Sequence, residues 1–204
     1  PGTGNMDTWV RWADEANDLG LIDDYRLNHD TYPPFTLAIL FAAGRISQWF
    51  NIWIYTSIKF IIALFLLLTA LVTFLATKNI FLSLILLTAL VINSVALGHL
   101  DVLFAPTMVL ALWALKEEKL TLFTVAFCLS FLTKWQPLII GPFIALYIFK
   151  IRRLKDYKLI LFFRIVKSVI LPTAVVLGLV FLIFGTKPIF TSFVYASDHH
   201  YLSG

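Results

Sequence analysis

Phe60-Ile-Ile-Ala-Leu-Phe-Leu-Leu-Leu-Thr-Ala-Leu-Val-Thr-Phe-Leu-Ala-Thr77 is an unbroken run without a single charge. As helix it approaches the roughly 20 residues needed to cross about 30 Å of hydrocarbon. Asn79 to Leu100 and Ser168 to Thr186 are uncharged runs of similar length. Across the chain 60% of residues are hydrophobic, mean hydropathy is +0.87 and only 14% are charged, against about 25% charged in soluble domains. The period-2 alternation of strands is absent, so these three runs read as helical spans. Val102 to Leu115, Leu120 to Thr133 and Trp135 to Phe149 are shorter and reach full length only if their flanking lysines snorkel. The expected fold class is all-α: a polytopic transmembrane helical bundle carrying an outer-face interfacial helical segment. Its divisions would be residues 1–48 as an outer loop with amphipathic and interfacial helices, 49–187 as a bundle of about six spans, and 188–204 as the start of a further outer loop.

Charge is sorted by position along the chain. Residues 1 to 30 hold seven of the twelve acids, whereas Lys150, Arg152, Arg153, Lys155, Lys158, Arg164 and Lys167 gather against one acid, Asp156. That basic segment reads as cytoplasmic under the positive-inside rule. The pI near 9.2 is therefore topological, and no nucleic-acid partner is implied. Counting back from the basic segment puts Lys134-Trp-Gln-Pro137 outside, Lys116-Glu-Glu-Lys119 inside, Gly98-His-Leu-Asp101 outside and Lys78 inside. Lys59 then lies well within the span from about Phe50 to Thr77 and needs a partner or a long tilt. Cys128 is the single cysteine and reads as a small core residue. The chain opens at Pro1 and closes at Gly204 in polar segments, which suggests a fragment with a span before Pro1 and more after Gly204.

The N-terminal segment has its own pattern. Trp9, Val10, Trp12, Ala13, Ala16 and Leu19 share one face of a helix from Asp7 to Leu19, with Arg11, Asp14, Glu15 and Asp18 on the other. Gly20 would end that helix at the water boundary, and Leu21 to Thr31 reads as polar loop. Tyr32-Pro-Pro-Phe-Thr then opens a second short helix. If residues 1–33 lie outside, Pro33 to Gln48 cannot cross and must be re-entrant or interfacial, and the Trp49-Phe50 and Trp53 edge suits an anchor at that boundary.

Asp101 is the only charged residue between Lys78 and Lys116. A carboxylate at the bilayer centre costs roughly 2.5–3.5 kcal/mol on insertion scales, so it belongs at an interface, in a watery cavity or beside a partner. It reads as part of an active site; the structural alternative is a cap for a helix starting at Val102. Asp7 is equally suited to N-cap a helix beginning at Thr8. Asp14 and Glu15 are consecutive on a helix and diverge, which marks a solvated face. Asp198-His-His200 has metal-binding residue types without a third ligand at matching spacing. No Gly-rich phosphate loop, nucleophile elbow or zinc-protease signature occurs.

Taken in order, Gly4-Asn-Met-Asp7, Tyr32-Pro-Pro-Phe35, Gly98-His-Leu-Asp101 and Thr133-Lys-Trp-Gln-Pro137 resemble the integral-membrane glycosyltransferases of the GT-C superfamily. The likeness is to the polyprenyl-phosphate-sugar-dependent mannosyltransferase-like and the arabinosyl- or aminoarabinosyl-transferase-like members. The resemblance implies a GT-C-like fold and a catalytic pair in which Asp7 is the general base and Asp101 orients the acceptor, binds sugar or holds a divalent cation. It also implies substrate-binding roles for Lys134, His99, Gln136 and Tyr32. A sugar leaving from a lipid phosphate needs a cation rather than a proton donor, and a positioned lysine supplies one. The implied partners are a polyprenyl-phosphate-linked sugar donor, a glycan, lipid or protein acceptor, and the bilayer. The implied location is a membrane, a prokaryotic plasma membrane rather than the endoplasmic reticulum, with the site extracytoplasmic. The rival readings are a transporter or lipid flippase with Asp101 as coupling site, and a non-catalytic membrane subunit.

Overall fold

The structure, a computed structural model, describes residues 4–27, 32–96, 99–151, 163 and 165–202. It is all-helical over those residues. Most of the basic stretch read as cytoplasmic, Arg152 to Lys158 and Arg164 included, lies outside the described residues.

The N-terminal layer has three helices: α1 (Gly4–Leu19), α2 (Leu21–Leu27) and α3 (Pro34–Phe50). Met6, Trp9, Trp12, Ala13 and Ala16 of α1 are buried while Arg11, Asp14 and Asp18 face outward, as the period predicts, whereas Val10 is half-buried and Leu19, at the end of the expected face, is exposed. Gly20 ends the helix at φ +89° with its N–H on the Ala16 carbonyl, a left-handed position that glycine occupies without penalty. Two expectations fail in this layer. Leu21 to Leu27 is helix rather than loop, because Asp24 N–H finds the Gly20 carbonyl at 2.9 Å and Tyr25 is buried against Phe184 far along the chain. The first helix begins at Gly4, so Asp7 sits inside its first turn instead of capping it. There the carboxylate still meets the positive end of the helix dipole.

α3 opens as read, with Pro34 in its first turn, and closes at Asn51 in the left-handed conformation. Its inner face, Thr36, Leu37, Leu40, Ala43 and Gly44, is buried. Gly44 is where α1 comes closest: a Cβ there would stand 1.6 Å from Asn17 Nδ2 and 3.0 Å from the Ala13 carbonyl oxygen. α3 is thus sandwiched between α1 and the bundle. It covers Ile58, Ile61 and Ile62 together with Leu100 and Leu103.

The apolar helices follow. α4 (Ile54–Thr77) is continuous. α5 (Ile80–Val91), capped by the Asn79 side chain on Leu82 N–H, runs into a π-helical turn, Ile92–Ala96. A 3₁₀ turn, Leu100–Leu103, leads to α6 (Ala105–Lys116), then α7 (Leu120–Thr133), a second 3₁₀ turn (Gln136–Ile140) and α8 (Gly141–Ile151). A π turn, Val166–Ile170, passes into α9 (Leu171–Phe184), and α10 (Thr186–Leu202) closes the described chain. The stretch read as opening a further outer loop is therefore helical through Leu202, with Asp198, His199 and His200 in its last turns.

Among the described residues two helices are long and apolar enough to cross a membrane, Ile54–Thr77 and Val166–Phe184. Three full-length runs were expected from the sequence. The third, Asn79 to Leu100, ends its regular α-helix at Val91 because the wider turn after it reassigns the backbone bonds. In the two long helices only 28% and 6% of the apolar window is buried within the protein. Leu67, Leu71, Leu179 and Leu182 all project outward.

Non-local contacts bring several helix ends to one side. Thr36 Oγ1 donates to the Thr133 carbonyl at the end of α7, Arg26 donates to the Ile183 carbonyl at the end of α9 at 2.8 Å, and Tyr25 lies 3.2 Å from Ser192 Oγ. Lys59, near the start of α4, donates to the Val95 carbonyl at 2.9 Å. The N-terminal layer covers that common end.

Candidate functional site

Asp101 lies in the 3₁₀ turn between the π turn and α6, and it caps nothing: α6 begins at Ala105 with no side-chain cap. The capping alternative therefore falls. Both carboxylate oxygens are engaged instead, Oδ1 in an ion pair with Lys134 Nζ and Oδ2 accepting from Asn93 Nδ2 at 3.0 Å. The three residues come from three segments, the π turn, the 3₁₀ turn and the end of α7.

Lys134 reaches this position because it leaves α7 in an extended conformation while its own N–H still bonds the Ser130 carbonyl. Its side chain is 16% exposed and that of Asp101 34%, so the pair is screened less than a surface pair and still borders solvent. Nζ also stands 5.8 Å from the Tyr32 ring centroid, within cation–π range. Tyr32 is held edge-on by Trp9 at 5.2 Å and Trp12 at 5.8 Å, and the two indoles lie 5.1 Å apart. Each such ring pair contributes about 0.5–1.5 kcal/mol beyond the area it buries. Removal from water pulls the Lys134 ammonium down to about 8, and the neighbouring carboxylate pulls the other way. Burial likewise raises the Tyr32 phenol.

The sequence-predicted residues divide accordingly. Asp101, Lys134 and Tyr32 are brought together. His99, half-buried, occupies the N-cap position of the turn that carries Asp101, and Gln136 is exposed in the turn just after Lys134. Asp7 is exposed on α1 and, two residues from Trp9 on one helix, points nearly opposite to the indole that packs on Tyr32, so among the described residues no contact joins it to the Asp101–Lys134 pair. Asp14 and Glu15 stay on the outer surface, where Glu15 pairs loosely with Arg11 at 3.9 Å. Asn93, Thr36 and the Trp9–Trp12 pair escaped the sequence reading. Asn93 had a signal, as a polar side chain in an apolar run eight residues before Asp101.

The donor set does not fit a divalent cation at Asp101. One carboxylate is present, already held by an ammonium and an amide, and among the described residues no three His, Cys, Asp or Glu side chains converge. What the arrangement offers is an ammonium with protons to spare, held against an aromatic face at the mouth of the helix ends. Such a group suits an anion that can displace or share the carboxylate. Comparison with protein-family models, with curated proteins and with solved structures finds no match to this chain.

Proposed function

We propose that this chain is a polytopic membrane glycosyltransferase of GT-C type that moves a hexose, mannose-like, from a polyprenyl-phosphate donor to an acceptor hydroxyl on the extracytoplasmic face. The single observation that carries the reading is the Lys134–Asp101 pair, half-enclosed beneath Tyr32 where the helix ends converge. The apolar belt supports the membrane setting. A soluble protein buries its long apolar helices, and here they face outward.

The chemistry runs as a single displacement. The acceptor oxygen bonds to the anomeric carbon as the bond from that carbon to the phosphate oxygen breaks, inverting the centre. Asp7 takes the acceptor proton, and the departing phosphate carries away the bonding pair, stabilised by Lys134. Asp101 holds Lys134 until the donor arrives and then shapes the acceptor side. Tyr32, beside Lys134, and His99 and Gln136, close in the chain to Asp101 and Lys134, are the proposed substrate contacts. The transporter reading, with Asp101 as a coupling site, gains less support, since the sequence carries no internal repeat of the kind such folds are built from.

The test is transfer from mannosyl-phosphoryl-polyprenol to a hydroxyl acceptor by protein reconstituted in vesicles. Asp7→Asn is expected to lower turnover by about 10²–10⁴-fold, the usual contribution of a general base, with donor binding retained. Wild-type turnover in that variant sinks the assignment of Asp7. Solute flux across vesicles without any transfer sinks the transferase.

A further inference from the structure

Lys59 is a second cation that the proposed chemistry does not use. It stands in the second turn of α4, about 8 Å along the axis from its start, half-buried among apolar neighbours. One of its three protons goes to the Val95 carbonyl at 2.9 Å, and the Tyr55 ring lies 5.6 Å away. Among the described residues no carboxylate pairs with it. An ammonium has three donors and no acceptor, so two remain to be met from outside the protein.

Two features say what meets them. Ala63, Leu67 and Leu71 follow Lys59 at successive fourth positions and Phe74 continues the line, all of them exposed. This is a straight apolar stripe running about 18 Å from Lys59 to Leu71, longer than half of a roughly 30 Å hydrocarbon core. At the other end Trp53 is exposed just before α4 and packs 5.5 Å from Tyr55, a ring of the kind found at headgroup level. A helical side chain leans toward the helix N-terminus, so the ammonium is tipped toward that boundary.

We propose that Lys59 is the headgroup ligand of an anionic phospholipid whose acyl chain lies along the Ala63–Leu67–Leu71 stripe of α4. The inference rests only on the membrane half of the reading above and is independent of sugar transfer. The phosphate would accept the two unused protons while the Val95 carbonyl holds the third. The lipid would then dock beside the π turn whose Asn93 supports Asp101.

The experiment is native mass spectrometry of the full chain released from vesicles of equimolar phosphatidylglycerol and phosphatidylcholine, after a carbonate wash. Wild type should retain the anionic lipid by about fivefold over the zwitterionic one, the fold-change of one lysine–anionic-lipid contact near the surface. Lys59→Met should bring the ratio to parity, while Lys59→Arg and Lys116→Met should keep it. An inserted wild-type protein without headgroup preference overturns this inference alone, and needs no variant to fold. Equal loss in Lys116→Met overturns it as diffuse charge. Release of the protein by carbonate overturns the membrane reading with it.

Discussion

α1 and α9 are built by opposite rules. α1 carries charges along its length, yet every large apolar side chain from Met6 to Trp12 save the half-buried Val10 is hidden against α3 and the bundle. α9 carries no charge at all, yet Leu171, Val175, Leu179, Leu182 and Ile183 point outward and only Val180 and Phe184 are buried. A chain in water rarely leaves a long contiguous apolar face exposed. α1 follows this rule over Met6 to Ala16 and α9 reverses it, a contrast that the proposed membrane setting would account for; Leu27, Trp49 and Phe50, at the edges of the N-terminal layer, are exposed as well. The N-terminal layer is held together by hydrophobic burial and aromatic contacts. The outward apolar side chains of α4 and α9 are what the proposed membrane setting would cover.

The sharpest way to break this contrast is Val175→Arg, midway along Val166–Phe184 at a side chain 52% exposed. In lipid the change should cost about 2.5–3.5 kcal/mol of insertion free energy, read from the inserted fraction in a translocation assay. In water it should cost almost nothing, and that result would dissolve the distinction.

Lys134→Met comes next, because it leaves Asp101 half-buried without its counter-ion. A loss of about 2 kcal/mol in thermal or denaturant stability is expected, between the values for surface and buried pairs, and adding Asp101→Leu should restore part of it. The same lysine sets a pH dependence. Its charge is present below about 8 and lost above it, so donor affinity should fall as pH rises through that value. Lys134→Arg, whose guanidinium stays protonated, should flatten the profile. A donor affinity that is level from pH 7 to 9.5 in the wild type would remove Lys134 from phosphate binding.

Gly44→Ala probes how tightly the N-terminal layer is seated. The new methyl displaces the Asn17 amide from its 2.6 Å bond to the Ala13 carbonyl, at about 1–2 kcal/mol. Asn17→Ala in the same chain should recover some of that, as measured by the unfolding midpoint. The smallest effect belongs to Glu15→Ala, which removes an exposed i,i+4 pair with Arg11 and should shift stability by at most about 0.5 kcal/mol. A larger shift would mean that the outer face of α1 has a partner.

Much of this architecture was legible because its signals are local. Helix type, the apolar runs, the face of α1, the stop at Gly20 and the proline start of α3 all follow from neighbouring residues and the 3.6-residue period. Lys59 was visible as a charge in need of a partner. Its partner was not, because the Val95 carbonyl is met only across α4 and the π turn. α2 was misread for the same reason: Tyr25 holds it through Phe184 and Ser192, more than 150 residues away.

The candidate site divides along that line. Sequence alone singled out Asp101 as an uncompensated charge and marked Lys134 as a cation at the end of an apolar run, since the cost of a charge in a nonpolar stretch is a property of composition. Only the tertiary structure joined them. An ion pair depends on distance, and the distance between residues 33 apart is set by where α6 and α7 turn back, which no local pattern encodes. The Asn93 amide on Asp101 and the packing of Trp9 and Trp12 on Tyr32 entered the site by the same route, through contacts that join separate segments of the chain.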